Sequence, residues 1–342
     1  MVACLLAATS VPGDPYAPSS VVKGITFDWS SHDRCAPGSD NWPVTWAKDD
    51  HQYTSWGDGG GFGGDDSLGR VSLGIARVEG DWDDYRGHNV WGGHEAPNEA
   101  LFDGKSYGIL FIDGFLYMWR SPGSDNVSYQ SARLYRSADY GASWRAANWE
   151  FVMTDGIIMP TILNFGKNYD GSRDDYVYHY FIKLQDPDRL TVHKPGMVYL
   201  LRVPRDALMK RMAYEFFTGT ADKPAWSRRI EDKKPVFRDP RGVGWCLSVS
   251  YNAALDRYFL CTEHDATMQG NIGIFDAPEP WGPWTTVYYT SGFGNPGEPS
   301  TTFFWNFSNK WLSRDGEVFT MIFTGVGGND SWNLVRGRFL HN

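Results

Sequence analysis

Five acidic residues stand beside aromatic or β-branched runs where proton-transfer chemistry could use them. Asp40 precedes NWPVTWA, Asp58 lies in GDGGGF, and Asp155 precedes MPTILNF; Glu263 ends DRYFLCTEH, and Glu298 precedes TFFWNFSNKW. Carboxyl groups brought close together titrate apart, so one keeps its proton as a donor while its neighbour ionises as a base. Arg120, His88, His94, His179 and His264 add a cation and imidazoles to this inventory. Trp42, Trp91, Trp245 and Trp305 offer large apolar ring faces with a polar rim, the kind of surface on which sugar rings stack. These residues are spread over most of the chain, so only a fold that gathers distant segments makes one site of them.

The chain has 342 residues, with 32 Lys and Arg against 41 Asp and Glu, a formal charge of −9. That balance argues against a nucleic-acid partner, whose affinity comes chiefly from Lys and Arg on phosphates. No stretch of 18 apolar residues is present, so no membrane helix is expected. With 38 Gly, 16 Trp, 18 Tyr and 20 Phe, the chain reads as aromatic strands broken by tight turns, an all-β composition. Most of these aromatics are expected to pack the core. Helical periodicity is confined to about Pro204 to Met212.

Four Cys make no disulfide framework; Cys246 and Cys261 flank the turn Asn252–Leu255 and are expected as two buried thiols. No metal-ligand spacing, nucleophile elbow or Cys–His pair is found, and no cofactor is expected beyond an optional structural calcium. The glycines of Gly57–Gly61 follow a strand pattern and open no helix, which argues against a phosphate loop. The run Ala3–Ala8 resembles the tail of a secretory signal, giving the expectation of a secreted or periplasmic, monomeric protein. Glycosylation tripeptides start at Asn126, Asn306 and Asn329.

Hairpin patterns recur with centres near residues 49, 113, 171, 254 and 315, a step of about 66 residues. A period this long, each unit opening on a hairpin, suits the four-stranded blades of a β-propeller. After the fifth hairpin only about one strand remains, WNLVRGRFL, so Val21 to Trp29 is expected to complete that blade and close the ring. The reading is an all-β, five-bladed β-propeller over 21–342, preceded by an N-terminal segment, 1–20.

Connectivity then sorts the acids. Residues just before each first strand and just after each second strand share one face. That face receives Asp40, Lys105, Tyr107, Asp155, Arg238, Asp239 and Glu298 from the first set, and Asp58, Arg120, Lys183, Asp186, Glu263, His264, Asn329 and Asp330 from the second. The turn residues Asp49, Asp113, Asp170, Asp256 and Asp315 fall at the other end, where Asp stabilises turns.

Two motifs carry a resemblance. Ser137-Ala-Asp-Tyr-Gly-Ala-Ser-Trp144 matches the S-x-D-x-G-x-x-W Asp-box of sialidase-type propellers, a structural motif away from the catalytic face. Phe275-Asp-Ala-Pro-Glu-Pro-Trp281-Gly-Pro-Trp284 resembles the outer-strand turn of five-bladed arabinanase and fructosidase propellers. With the SDNWPVTWA opening and the FFWNFSNKW and NDSWNLVRG ending, residues 22–340 resemble a broad bacterial family of such propellers, known largely as domains of unknown function and including endo-D-arabinanases. The resemblance implies hydrolysis of glycosidic bonds by paired carboxylates. It gives Asp40 the slot of the base or nucleophile and Asp155 that of the pKa-tuning carboxylate. The family's acid, a Glu opening the fourth blade, has no match, since Arg238-Asp239 stands there; Glu263, or Glu298, takes its place. Asp58, Arg120, His179, His264, Glu298 and the four tryptophans are left as substrate-binding candidates. Two other readings use the same residues: a lyase on a uronate polymer, with His264 or His88 as base and Arg120 as cation, and a non-catalytic glycan-binding propeller.

Overall fold

The computed structural model describes residues 13–100, 102–122, 129–183, 191–298, 300–326 and 329–341. The Ala3–Ala8 run, the Asn126 tripeptide and Asp186 lie outside the described residues. The described residues form five antiparallel sheets. An N-terminal strand, β1 (Gly24–Cys35), comes first. Blade 1 follows with β2 (Val44–Trp46), β3 (Gln52–Trp56), β4 (Gly74–Glu79) and β5 (Arg86–Trp91). Blade 2 has β6 (Lys105–Ile112), β7 (Phe115–Ser121), β8 (Ser131–Ser137), and the short β9 (Arg145–Ala146) and β10 (Phe151–Val152). Blade 3 has β11 (Ile158–Ile162), β12 (Tyr176–Ile182) and β13 (Gly196–Pro204), then β14 (Glu215–Phe217), β15 (Trp226–Ser227) and β16 (Pro235–Asp239). Blade 4 has β17 (Ser248–Asn252), β18 (Arg257–Glu263), β19 (Ile272–Ala277) and β20 (Thr285–Thr290). Blade 5 has β21 (Phe303–Phe307), β22 (Val318–Val326) and β23 (Asn329–Leu340).

Strand β1 pairs antiparallel with β23, from Gly24 opposite Leu340 to Cys35 opposite Trp332, so the fifth blade takes its outer strand from the start of the chain. This closure covers the outer edge of β23 and ties the start of the chain to its last blade. The expected N-terminal strand is present and runs six residues beyond Trp29. Residues before it are docked as well: Pro18 bridges Thr286, and the Tyr16 ring packs on Phe237 and Phe275 of blades 3 and 4.

The five innermost strands meet at an axis sealed by hydrogen bonds passing from blade to blade. Phe111 N–H donates to Thr45 Oγ1 at 2.9 Å, and Asn164 Nδ2 to Ile109 O at 3.4 Å. Tyr251 N–H donates to Asn164 O at 2.9 Å, and Ser248 Oγ to Trp305 O at 2.5 Å. Asn306 Nδ2 to Trp42 O, 3.3 Å, completes the circuit. What remains on the axis is a void of about 10 Å³ lined by all five blades, room for about one water. The pore is a packed hub, and ligand chemistry belongs at its mouth. Asn306, buried in this hub, is not available as a glycosylation acceptor.

Between blades the seams are aromatic. Trp42 packs against Trp56, Phe62 and Trp332 with ring centroids 5.2–6.2 Å apart, joining blades 1 and 5. The Ser137–Trp144 turn closes with Gly141 N–H on Ser137 Oγ and Ser143 N–H on Asp139 Oδ1, both 2.8 Å, and its Trp144 packs where blades 1 and 2 meet. The hairpin acids act as turn residues, as expected: Asp315 Oδ1 accepts from Glu317 N–H at 3.0 Å, and Asp49 Oδ1 from His51 N–H at 3.2 Å. Cys261 pairs with Ser248 across β17 and β18, leaving Cys246 beyond that register; both are buried free thiols. The Pro204–Met212 segment forms successive turns and a 3₁₀ turn at Arg211–Ala213 in place of a helix.

Candidate active site

At one mouth of the axis, one carboxylate oxygen from each of Asp40, Asp58 and Asp330 lies within 4.8 Å of the others. Three segments deliver them. Asp40 ends the turn before β2 and Asp58 follows β3; a two-way backbone bridge binds these ends, with Asp40 N–H to Gly57 O at 2.7 Å and Gly57 N–H to Asp40 O at 2.8 Å. Asp330, at the start of β23, is tied in by Gly38 N–H to its carbonyl at 2.6 Å. Gly57 is what lets them close up: a Cβ there would sit 2.8 Å from both Asp40 Oδ1 and Lys105 Nζ. Asp58 and Asn41 hold the left-handed conformation, at φ 59° and 58°, which suits their short polar side chains.

The cations on this cluster are part of the chain. Lys105, the first residue of β6, is buried and donates to Asp58 Oδ1 and, at 3.2 Å, to Ser72 O. Arg70 Nη2 lies 2.6 Å from Asp58 Oδ2. Asn41 Nδ2 donates to Asp40 Oδ1 at 2.6 Å. Burial, then repulsion from Asp58 and Asp330, pushes the Asp40 carboxyl up, against the pull of Lys105 and Arg70. Burial and the Asp58 charge likewise push Asp330 up to about 6, against Arg70 and Lys105. Three acids facing two cations cannot all ionise freely, so Asp40 and Asp330 keep their protons to higher pH than free carboxyls do. The spacing of the acids is that of a metal-ligand group, but an ammonium and a guanidinium already bond to Asp58, and no ion is assigned here.

Glu263, at the end of β18, is fully buried near the same mouth; it and Asp40 both act on the Cys246 thiol, whose Sγ is 3.5 Å from Asn41 Oδ1. Burial pushes its carboxyl up to about 8, although Met268 N–H bonds Oε1 at 2.9 Å and Thr267 Oγ1 bonds Oε2 at 3.0 Å. Both oxygens thus fasten the loop after β18, and neither faces solvent.

Other expected site residues lie elsewhere. Asp155 closes the 3₁₀ turn Met153–Asp155, accepting Val152 N–H at 2.8 Å, and its charge is felt by Arg211 and Lys233 on the outer part of blade 3. The turn diverts it before β11 begins, so it tunes nothing in the cluster. Glu298 is exposed and bonds Asn295 Nδ2 at 3.0 Å. Trp42, Trp91, Trp245 and Trp305 are only 0–4% exposed, buried in seams where no sugar reaches them; the apolar area that suggested stacking is what drives them inside. His179 is wholly buried, accepts Trp119 Nε1–H at 3.0 Å, and is pushed down to about 3 by burial, so it stays neutral. His264 is held between Asp265 Oδ2 at 2.8 Å and Thr290 O at 3.0 Å and stacks on Tyr289, its centroid 3.9 Å away. Arg120 Nε donates to Asp103 O at 2.5 Å. His88 and His94 line an open hollow of about 480 Å³ on blade 1, whose lining includes none of the three acids, with Glu79 and Glu95 at 3.8 and 3.5 Å. Lys105 and Asp330 were placed on this face by connectivity but not among the site residues; Arg70 carries no local signal in the sequence.

Solved five-bladed propellers of the glycoside hydrolase class superpose on this chain. The catalytic domain of the Coprinopsis cinerea GH62 alpha-L-arabinofuranosidase matches at TM-score 0.51 and 9% identity, covering 90% of this chain and 98% of that one. A GH62 hydrolase in complex with xylotriose matches at 0.50 and 10%, covering 88% and 92%, and the beta-xylosidase RS223 at 0.50 and 11%, covering 87% and 91%. At these identities the likeness is one of fold. No curated protein matches in sequence. Residues 114–316, over half the chain, match the family described as Domain of unknown function (DUF4185), and the chain belongs to it.

Proposed function

We propose that this protein is an exported glycoside hydrolase that cleaves a neutral, pentose-rich polysaccharide such as an arabinan or a xylan. The observation that carries the reading is the cluster of Asp40, Asp58 and Asp330, in which burial and then mutual repulsion push two of the carboxyls up. Glycosidic cleavage asks for one protonated and one ionised carboxyl. Asp40 and Asp330 supply these two roles between them: burial pushes both carboxyls up, Asp40 well above its ordinary range and the half-buried Asp330 to about 6. Asp58, with both oxygens on cations, supplies the charge that tunes the other two, the part first given to Asp155. The names of the matching propellers, an arabinofuranosidase, a xylosidase and a xylotriose complex, favour pentose polymers.

The two competing readings lose their parts. The lyase reading takes His264 or His88 as base and Arg120 as cation, whereas His264 is buried and bonded, Arg120 Nε is taken up by Asp103 O, and His88 lines the blade-1 hollow beside Glu79. A lectin of the expected kind needs exposed tryptophans, and the four candidates are buried. Incubation with arabinan and xylan is expected to release reducing ends without the ultraviolet absorbance of unsaturated uronates. Absorbing products from a uronate polymer, or binding without new reducing ends, overturns the reading.

A further inference from the structure

We infer that Asn41 is a positioning residue: it holds the Oδ1 oxygen of Asp40, and so makes Oδ2 the atom through which that carboxyl gives or takes a proton. The inference rests on the proposed hydrolase reading and deepens it. Successive side chains along an extended chain point to opposite sides, so neighbours in sequence seldom bond each other. Here the left-handed turn at Asn41, φ 58°, brings its amide back onto Asp40, with Nδ2 donating to Oδ1 at 2.6 Å. The backbone of that turn is tied across the seam to blade 5, since Asn41 N–H donates to Thr324 Oγ1 on β22 at 3.1 Å. Asn41 and Thr324 are both buried, so these bonds are shielded from water.

The two ends of an amide have the same shape, and their partners decide which way it faces. The Cys246 thiol, from the segment before β17, donates to Asn41 Oδ1 at 3.5 Å. Burial keeps that thiol protonated, so it serves as a donor. Turning the amide over would set its NH2 against the thiol proton and take the donor away from Asp40. Blades 4 and 5 therefore fix how an amide of blade 1 is presented. Oδ1 of Asp40 has Asn41 on one side and faces Gly57, where even a methyl group would come within 2.8 Å of it. That oxygen is committed as an acceptor whether the carboxyl is ionised or neutral. A proton on Asp40, when it holds one, sits on Oδ2, and the hold on Oδ1 sets the direction in which Oδ2 points.

The test joins kinetics on arabinan or xylan to side-chain amide NMR of the full chain. Asn41→Gly keeps the left-handed turn, which glycine adopts freely, and removes the amide. Asn41→Asp keeps shape and turn but puts an acceptor where the donor was. A reacting group turned out of line costs about 10²-fold, so kcat is expected to fall by about that much in both variants with KM unchanged. Wild-type kcat in Asn41→Asp overturns the inference, because a residue that only fills space and makes the turn would tolerate that change. Wild-type kcat in Asn41→Gly, or a loss confined to KM, overturns it too. Should neither variant fold, the wild-type chain carries the test: one Nδ2 proton of Asn41 is expected downfield of its geminal partner and slow to exchange, and two freely exchanging protons overturn the inference. A wild type that shows this signature but releases no sugar refutes the hydrolase reading and leaves the hold of Asn41 on Asp40 standing.

Discussion

The propeller holds two charged networks close to its face, and they are built to opposite rules. In one, Asp40, Asp58 and Asp330 crowd around Lys105 and Arg70, with acids in excess and two carboxyls pushed up. In the other, Arg241 bonds Asp265 through Nε and Nη2, Asp265 bonds His264, and His264 stacks on Tyr289, whose hydroxyl donates to Asp239 at 2.9 Å. There each acid has its donor, although burial still pushes Asp239 up against the bonds from Arg241 N–H and Tyr289. Asp265 sits below the usual carboxylate range: burial pushes it up, but the bonds from Arg241 and His264 outweigh that. Satisfied networks hold a fold in place, whereas unsatisfied ones cost stability and persist where chemistry uses them. The comparison separates His264, a good site candidate by residue type, from Asp330, whose partners give it a working pKa.

The largest effect that tests this contrast comes from Asp40→Asn. Asn keeps the shape and the hydrogen bond to Asn41 but cannot act as a base. Turnover on a cleaved polymer is expected to fall by about 10²–10⁴-fold with the circular dichroism and melting temperature retained. Full turnover in that variant would remove the cluster from the chemistry.

A smaller effect concerns stability. Asp330 has a native pKa of about 6 against 3.8 for the free group. Between those values the folded chain holds a proton that the unfolded chain has released, so stability falls as pH rises from about 4 to 6. The contribution is on the order of 2 kcal/mol after allowing for partial exposure. Asp330→Asn, which resembles the protonated form, is expected to flatten that slope in melts taken across pH 4–7. Asp40, also pushed up, leaves a residual slope.

The fold was legible because tight turns and aromatic strands repeat, and a repeat long enough for four strands allows few architectures. Connectivity also put Asp40, Asp58, Lys105 and Asp330 on one face without any knowledge of side-chain directions. It failed for Asp155, since a single 3₁₀ turn before β11 rotates that acid away. It could not separate buried from exposed tryptophans, because a seam and a sugar platform ask for the same ring. Nor could it find Arg70, whose reach depends on how the glycine-rich loop folds back through Val71 N–H to Gly59 O at 3.0 Å.

The smallest effect belongs to the satisfied network. Asp265→Asn keeps a polar partner for His264 but removes the charge opposite Arg241. Both side chains of that ion pair are about one-third exposed, at 31% and 32%, so the loss is discounted to about 1 kcal/mol. Its pH dependence has the opposite sign to that of Asp330. A carboxyl held below its free value stabilises the fold above about pH 4 and loses that contribution as pH falls through its native pKa. Asp265→Asn is therefore expected to lower the melting temperature slightly at pH 7, to flatten the acid side of the stability curve below pH 4, and to leave kcat/KM as in the wild type. A fall in kcat/KM as large as that of Asp40→Asn would show that the two networks act as one, and the distinction between frustrated and satisfied charge would fail for this propeller.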